Sequence, residues 1–231
     1  METSQEENLD VIERARKTGR GTLSEHESKE ILKDYGIPVT REIEVSEEKD
    51  LQGAVERIGF PLVLKACGWN VSHKTEKGLV HVDVRTMEEA ESGFRQIMEQ
   101  AGRGDVSVLV QELIRGHREL VIGLTRDPQF GPCVMFGLGG IFAEILEDVS
   151  FRVAPFEKSD AFAMMQEIRG KRILEAVRGM PAADLEALAE ILVKVGTIGL
   201  DQAAVREIDI NPIVLSGSRP VALDALVVLE G

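Results

Sequence analysis

Apolar and polar positions alternate along the chain with two periods, and each change of period marks an element. Asn8–Lys17 sets Leu9, Val11, Ile12 and Ala15 roughly on one helical face before the Gly19-Arg20-Gly21 break. Ser24–Tyr35 repeats the helical period, with Ser24 and Glu27 at capping-box spacing and Gly36 and Pro38 at its end. Arg41–Val45 predicts a strand, and Leu51–Ile58 a helix stopped by Gly59. Pro61–Leu64 is a short apolar run closed by Lys65, and Leu79–Val84 is another, which predicts strand, polar loop and strand. Met87–Gln100 is an amphipathic helix ahead of Gly102 and Gly104. Strands are predicted at Val106–Leu113, Glu119–Thr125, Cys133–Phe136, Ile141–Leu146 and Ser150–Ala154, the last two turned at Glu147-Asp148. Ala161–Arg178 and Ala182–Val195 predict helices, and Arg206–Leu229 a closing hairpin.

An early α/β part, a run of strands, two helices and a hairpin, without a repeat or low-complexity linker, predict an α/β (α+β) fold of two lobes meeting near Val110–Leu113.

The loop between the first two apolar runs carries the first candidate chemistry. Lys65 ends a predicted buried strand, and the loop from Gly68 to Gly78 holds His73 between Lys74 and Lys77. A fixed lysine beside a basic loop suits a polyphosphate, and an imidazole there can accept a phosphoryl group. Read alone, His73 is an exposed loop histidine and Lys65 a strand-end lysine reaching water.

Composition narrows the field. The net charge of −13 argues against nucleic acid and anionic membrane surfaces as main partners. One Trp and one Tyr leave little for a base-stacking surface. Cys67 and Cys133 lie in apolar runs without metal-type spacing, which reads as two small core residues in a reducing compartment. Met1–Asp10 is acidic and lacks the apolar run of a signal peptide, and no stretch has membrane-spanning length, so a cytoplasmic protein is expected.

The closing hairpin is the second candidate site. Glu207-Ile208-Asp209-Ile210-Asn211 alternates with period two, so Asp209 and Asn211 share a face. With Ser216-Gly217-Ser218-Arg219 as the loop, Leu215 pairs with Pro220 and, counting back, Asn211 with Asp224. Opposed residues have Cβ atoms about 5 Å apart, close enough for an amide oxygen and a carboxylate to share one Mg²⁺. A one-residue slip would separate them, and Pro212 points to an edge strand or a bulge. The alternative reading is a solvent-facing edge hairpin, against which stands Asp224 inside the apolar run Val221–Leu229.

Four motifs in order resemble one family. Leu23-Ser-Glu-His-Glu-Ser-Lys-Glu-Ile-Leu-Lys-Asp-Tyr-Gly-Ile-Pro38 looks like the opening of ATP-grasp subunits of succinyl-CoA synthetase type. Ser72-His-Lys-Thr-Glu-Lys-Gly78, Arg126-Asp-Pro-Gln-Phe-Gly-Pro132 and Ile208-Asp-Ile-Asn-Pro212 are similar to the β subunit of ADP-forming acetyl-CoA synthetase, and the resemblance runs from about Leu9 to Leu229. It implies an ATP-grasp fold with nucleotide between two lobes: an N-terminal helical extension at 1–20, a smaller lobe at 37–111, and a larger lobe of 21–36 and 112–231. It implies the reaction acyl-CoA + ADP + phosphate ⇌ acid + CoA + ATP, with Mg²⁺, ATP or ADP, and an α subunit that carries the CoA and acyl sites and the first phosphohistidine, assembled as α2β2. His73 then stands where the family has a second, mobile phosphohistidine. Lys65 resembles the lysine on the nucleotide phosphates, Glu112, Leu113 and Ile114 the hinge that holds adenine, Glu119 an acid near ribose and phosphates, and Asn211 and Asp224 the two Mg²⁺ ligands. Asp209 stands where succinyl-CoA synthetases have glutamate, and Trp69, Asn70 and Val71 replace their Gly-rich stretch, which favours the acetyl-CoA type.

Glu144 and Arg152 can line a cleft or form surface ion pairs, and Gly137, Gly139 and Gly140 read as a turn allowing close backbone approach, since no phosphate lysine follows. The rival functions are an ATP-grasp subunit of a succinate- or malate-type CoA ligase and a non-enzymatic nucleotide sensor. A sensor needs no phosphoryl acceptor at His73.

Overall fold

The computed structural model describes residues 11–71, 78–102, 106–140 and 148–230. Along these run α1 (residues 11–17), α2 (Glu25–Asp34), β1 (Glu42–Val45), α3 (Leu51–Ile58), β2 (Leu62–Cys67), β3 (Val80–Val84), α4 (Met87–Ala101) and β4 (Ser107–Glu112). After them come β5 (Glu119–Asp127), β6 (Gly131–Leu138), β7 (Val149–Val153), α5 (Lys158–Glu167), α6 (Leu185–Asp201), β8 (Val205–Ser216), β9 (Arg219–Ala222) and β10 (Ala225–Leu229). They form two compact units, one of Ser24–His26 with Thr40–Ile114, the other of the remaining chain. His73, Glu144 and the strand expected at Ile141–Leu146 lie outside the described residues.

The smaller unit is a four-stranded antiparallel sheet in the order β1-β4-β2-β3. Leu62, Leu64 and Ala66 of β2 and Val108 and Val110 of β4 point to one face, where Leu51 and Val55 of α3 and Phe94 and Ile97 of α4 cover them. α4 starts cleanly because Thr86 and Glu89 exchange side-chain and backbone hydrogen bonds in a capping box. β2 is longer than the Pro61–Leu64 run suggested. Lys65 lies within it, opposite Leu109 of β4 and Val80 of β3, and is 9% exposed.

The larger unit has a sheet in the order β10-β8-β5-β6-β7, with β9 also on β8. Ile122, Leu124, Val134, Phe136, Ile208 and Ile210 form one face of a core closed by Met164 and Met165 of α5 and by Leu188, Leu192 and Val195 of α6. Gly199 lets α6 lie close, since a Cβ there would sit 2.5 Å from Leu124 Cδ1 and 2.7 Å from Pro132 Cβ. α1 buries Ile12 and Ala15 in the same core.

Two expectations on this unit change. The helix predicted over Ala161–Arg178 ends at Glu167, because the carboxylate of buried Asp148 accepts the backbone amides of Arg169 (2.7 Å) and Gly170 (2.6 Å) and turns the chain. The predicted terminal hairpin is three strands, since β9 and β10 pair successively with the long β8. Its turn is Gly217-Ser218, with Ser216 opposite Arg219.

Candidate functional site

On the smaller unit, β2 turns Val63, Lys65 and Cys67 to the face away from α3 and α4, because Leu62, Leu64 and Ala66 face the helices. Register puts Ser107, Leu109 and Gln111 of β4 and Glu42 and Glu44 of β1 on the same face. Lys65 Nζ lies 3.0 Å from Glu25 Oε1, and the two side chains are 11% and 1% exposed. His26 Nδ1 lies 3.1 Å from Glu42. Burial, the largest effect, pushes the Cys67 thiol up to about 11 despite its contacts with His26 and Ser24. Glu112 at the end of β4 accepts the Arg41 backbone amide (2.8 Å) and Nε (2.9 Å), so its carboxylate holds the chain entering β1. Leu113 and Ile114 follow, half-buried.

On the larger unit, the hairpin register is continuous. Leu215 pairs with Pro220 and Ile213 with Ala222, Leu223 N donates to Pro212 O (3.0 Å), and Ile210 pairs with Ala225. Asn211 is therefore opposite Asp224. On its other side β8 bulges, because Ile213 pairs with Leu120 and Ile210 with Ile122, leaving Asn211 and Pro212 opposite Val121 alone. The bulge keeps Ile210 and Ile213 both buried while Asn211 stays exposed. Asp209 lies opposite Gly123 on the face away from the core. Burial raises the Asp209 carboxyl above the usual aspartate range, and the charges of Glu207 and Asp224 raise it further. Asp224 Oδ1 accepts Ala225 N at 2.9 Å. Among the described residues no group of three or more His, Cys, Asp or Glu side chains is gathered tightly enough to hold a metal alone. Mg²⁺ needs only one or two carboxylates beside water and phosphate oxygens. The crowded carboxylates and the Asn211 amide fit that pattern.

Glu119 opens β5, and Gly139 and Gly140 wrap around it. Gly139 N donates to Glu119 O (2.8 Å), and a Cβ on Gly139 would sit 2.8 Å from Leu120 O. At Gly140, with φ +60°, a Cβ would meet the Glu119 carboxylate itself. The glycine run thus allows close backbone approach. The Arg126–Pro132 motif is architectural: Arg126 donates to the carbonyls of Gly199, Gln202 and Val205 and closes the end of α6, while Asp127 accepts the amides of Gln129 and Phe130 in the turn. Arg152 faces the core side, opposite Val134, and forks onto Glu167 of α5. An open groove of about 620 Å³ between β3 and α4 contains none of the candidate residues.

Glu25 was not predicted as a site residue. The signal was present, because Glu25, Lys29 and Leu32 follow one helical row and Lys29 and Leu32 are buried. A carboxylate on the inward stripe of a helix needs a cation.

A family model described as an ATP-grasp domain matches residues 14–229. The β subunit of acetate–CoA ligase [ADP-forming] I of Pyrococcus furiosus is 44% identical over 226 residues, covering 95% of this chain and 97% of that one. The chain belongs to the ATP-grasp family of ADP-forming acetate–CoA ligase β subunits. The Archaeoglobus fulgidus acetate–CoA ligase [ADP-forming] I is 36% identical to this ATP-grasp chain over 95% of its length, but the match spans only 33% of that larger protein. Among solved structures, acetyl-coenzyme A synthetase 1 of Ca. Korarchaeum cryptofilum superposes with a TM-score of 0.86 at 40% identity, covering 96% of this ATP-grasp chain and 100% of that chain. That protein is described as complexed with coenzyme A and Mg-AMPPCP, its phosphohistidine segment pointing towards the nucleotide-binding site. No helix among the described residues is long and apolar enough to cross a membrane.

Proposed function

We infer that this ATP-grasp chain is the nucleotide-handling β subunit of an ADP-forming acyl-CoA ligase. It works with a separate α subunit, as α2β2 in the cytoplasm, in the reaction acyl-CoA + ADP + phosphate ⇌ acid + CoA + ATP. The observation that carries this reading is the register that β9 and β10 share on β8, whose count brings Asn211 into line with Asp224, with Asp209 next along the same face. The Pyrococcus relative, a β subunit matched over 97% of its own length, supports a separate chain for the remaining chemistry.

Each residue then has a defined task. Lys65 holds nucleotide phosphate by charge. The backbone of Glu112, Leu113 and Ile114 receives the base, because the Glu112 carboxylate is committed to Arg41. Glu119, fixed by the glycines around it, faces ribose and phosphate. Asn211 and Asp224 hold Mg²⁺, which when bound neutralises phosphate charge. His73 carries the phosphoryl group. Its imidazole nitrogen forms a P–N bond as the phosphohistidine P–N bond of the α subunit breaks, the electron pair of that bond staying on the donor nitrogen. The His73 P–N bond then breaks, the electron pair returns to nitrogen, and a β-phosphate oxygen of ADP forms the new P–O bond.

The test incubates the chain with its α subunit, acetyl-CoA, phosphate and Mg²⁺ and maps acid-labile phosphate by mass spectrometry. Phosphate on His73 that disappears as ADP is added and ATP forms is the expected result. ATP formation at full rate by His73→Ala refutes the shuttle.

A further inference from the structure

Lys65 and Glu25 form a buried ion pair in which neither side chain is more than 11% exposed. Such pairs are poor stabilisers, since well-packed apolar replacements often do as well or better. A chain that invests a buried carboxylate beside a buried lysine therefore invites a functional account. Burial alone disfavours the ammonium form of lysine, and a carboxylate at contact distance restores it. The other groups on this face are spoken for. His26 pairs with Glu42, Glu44 accepts the Ser107 hydroxyl, and Cys67 is held as a neutral thiol well above neutral pH. From β3 comes Val80 and from β4 come Leu109 and the uncharged Gln111. Lys29, one turn on from Glu25 in α2, is a second buried cation on that helix. Glu25, in the first turn of α2, is a carboxylate that reaches Lys65 Nζ, at 3.0 Å.

We propose that Glu25 is the positioning residue of Lys65, keeping its ammonium protonated and aimed for nucleotide phosphate. The proposal rests on the nucleotide role of Lys65 given above. Glu25 touches no substrate in this account. It acts through Lys65, whose ammonium it charges for the incoming phosphates.

Calorimetric titration of ADP with Mg²⁺ into the full chain between pH 7 and 9.5 tests it. Wild type is expected to keep its affinity through most of this range. In Glu25→Gln the pKa of Lys65 falls. Binding is then intact at the acid end and lost earlier as pH rises, by up to roughly tenfold per pH unit above the new pKa. Glu25→Asp, which retains the charge, should follow wild type, and E25Q combined with K65R should be flat, because guanidinium stays protonated. A purely structural Glu25 would lower thermal stability and leave the pH profile unchanged. An E25Q profile that superimposes on wild type overturns the proposal. If E25Q does not fold, E25D decides: loss of alkaline binding in that folded, charge-retaining variant overturns it too. Failure of the underlying reading looks different, since wild type would then take up no nucleotide at all, or K65A would bind as wild type does.

Discussion

At the scale of single residues, the two cysteines make a sharp contrast. Cys67 is buried on β2 and its thiol is pushed up to about 11, while Cys133 is partly open, its thiol raised mainly by burial and then by Asp127. Iodoacetamide at pH 8 should alkylate Cys133 first and leave Cys67 untouched until the chain unfolds, as peptide mapping would show. The same shift has a sign for stability. The unfolded thiol ionises near 9 while the native one keeps its proton to about 11, so native stability contributed here is full below 9 and is lost as pH rises between those values. Cys67→Ser should flatten that alkaline fall in denaturation midpoints. At the hairpin, Asp224→Asn should cut ATP formation with the α subunit on the order of a hundredfold or more while leaving the melting curve of the chain near wild type. A rate within a factor of two would remove Asp224 from the Mg²⁺ site.

At the scale of elements, contacts decide what periodicity leaves open. The Asn211–Asp224 opposition was legible because the loop expected at Ser216–Arg219 and the tighter Gly217-Ser218 turn give the same register, Leu215 opposite Pro220, from which period-two alternation counts back. The bulge at Asn211 and Pro212 was legible only as an alternative, because it depends on β5, a strand far off in sequence. In the sequence Lys65 reads as the close of a strand, since a lysine in an apolar run normally marks an exit to water. Its counterion lies forty residues earlier, beyond any local window. The end of α5 was missed for the same reason, as the carboxylate that captures Arg169 and Gly170 belongs to Asp148. His73 rests on its basic, glycine-bounded loop and on its motif, and lies outside the described residues. The close seat of α6 on the sheet is open to direct test. Gly199→Ala would put a methyl group against Leu124 and Pro132 and should cost roughly 1–3 kcal/mol in chemical denaturation. Arg126→Ala, which frees the carbonyls of Gly199, Gln202 and Val205, should cost about 2 kcal/mol in the same assay. Either variant melting like wild type would show that the end of α6 is held by other contacts.

At the scale of the whole molecule, two cores are built from one chain that passes between them more than once, because Ser24–His26 groups with Thr40–Ile114. On the proposed reading, a chain carrying a charge of −13 binds its nucleotide through local cations and a metal, not through its overall field. The consequence for stability is specific. ADP at about a hundred times its dissociation constant should add about 2.7 kcal/mol to unfolding in the presence of Mg²⁺. Most of that gain should vanish with a chelator, and an ADP effect indifferent to chelation would count against the metal assignment at Asn211 and Asp224.

The tips of two hairpins make different places for grafting. At the turn between β5 and β6, residues 128–130 are exposed, and the turn is held from within by Asp127. A spliced epitope or fluorescent label there would dangle in solvent and leave both strands in place. The Gly217-Ser218 turn looks equally short, yet the Gly217 carbonyl takes a guanidinium nitrogen of buried Arg118 (2.8 Å) and the Ser218 carbonyl takes the amide of Asp184, the residue that caps α6. Arg118 also gathers the carbonyls of Ile173, Glu175 and Pro181. This tip is a knot joining three segments, and an insertion there would untie all of them together.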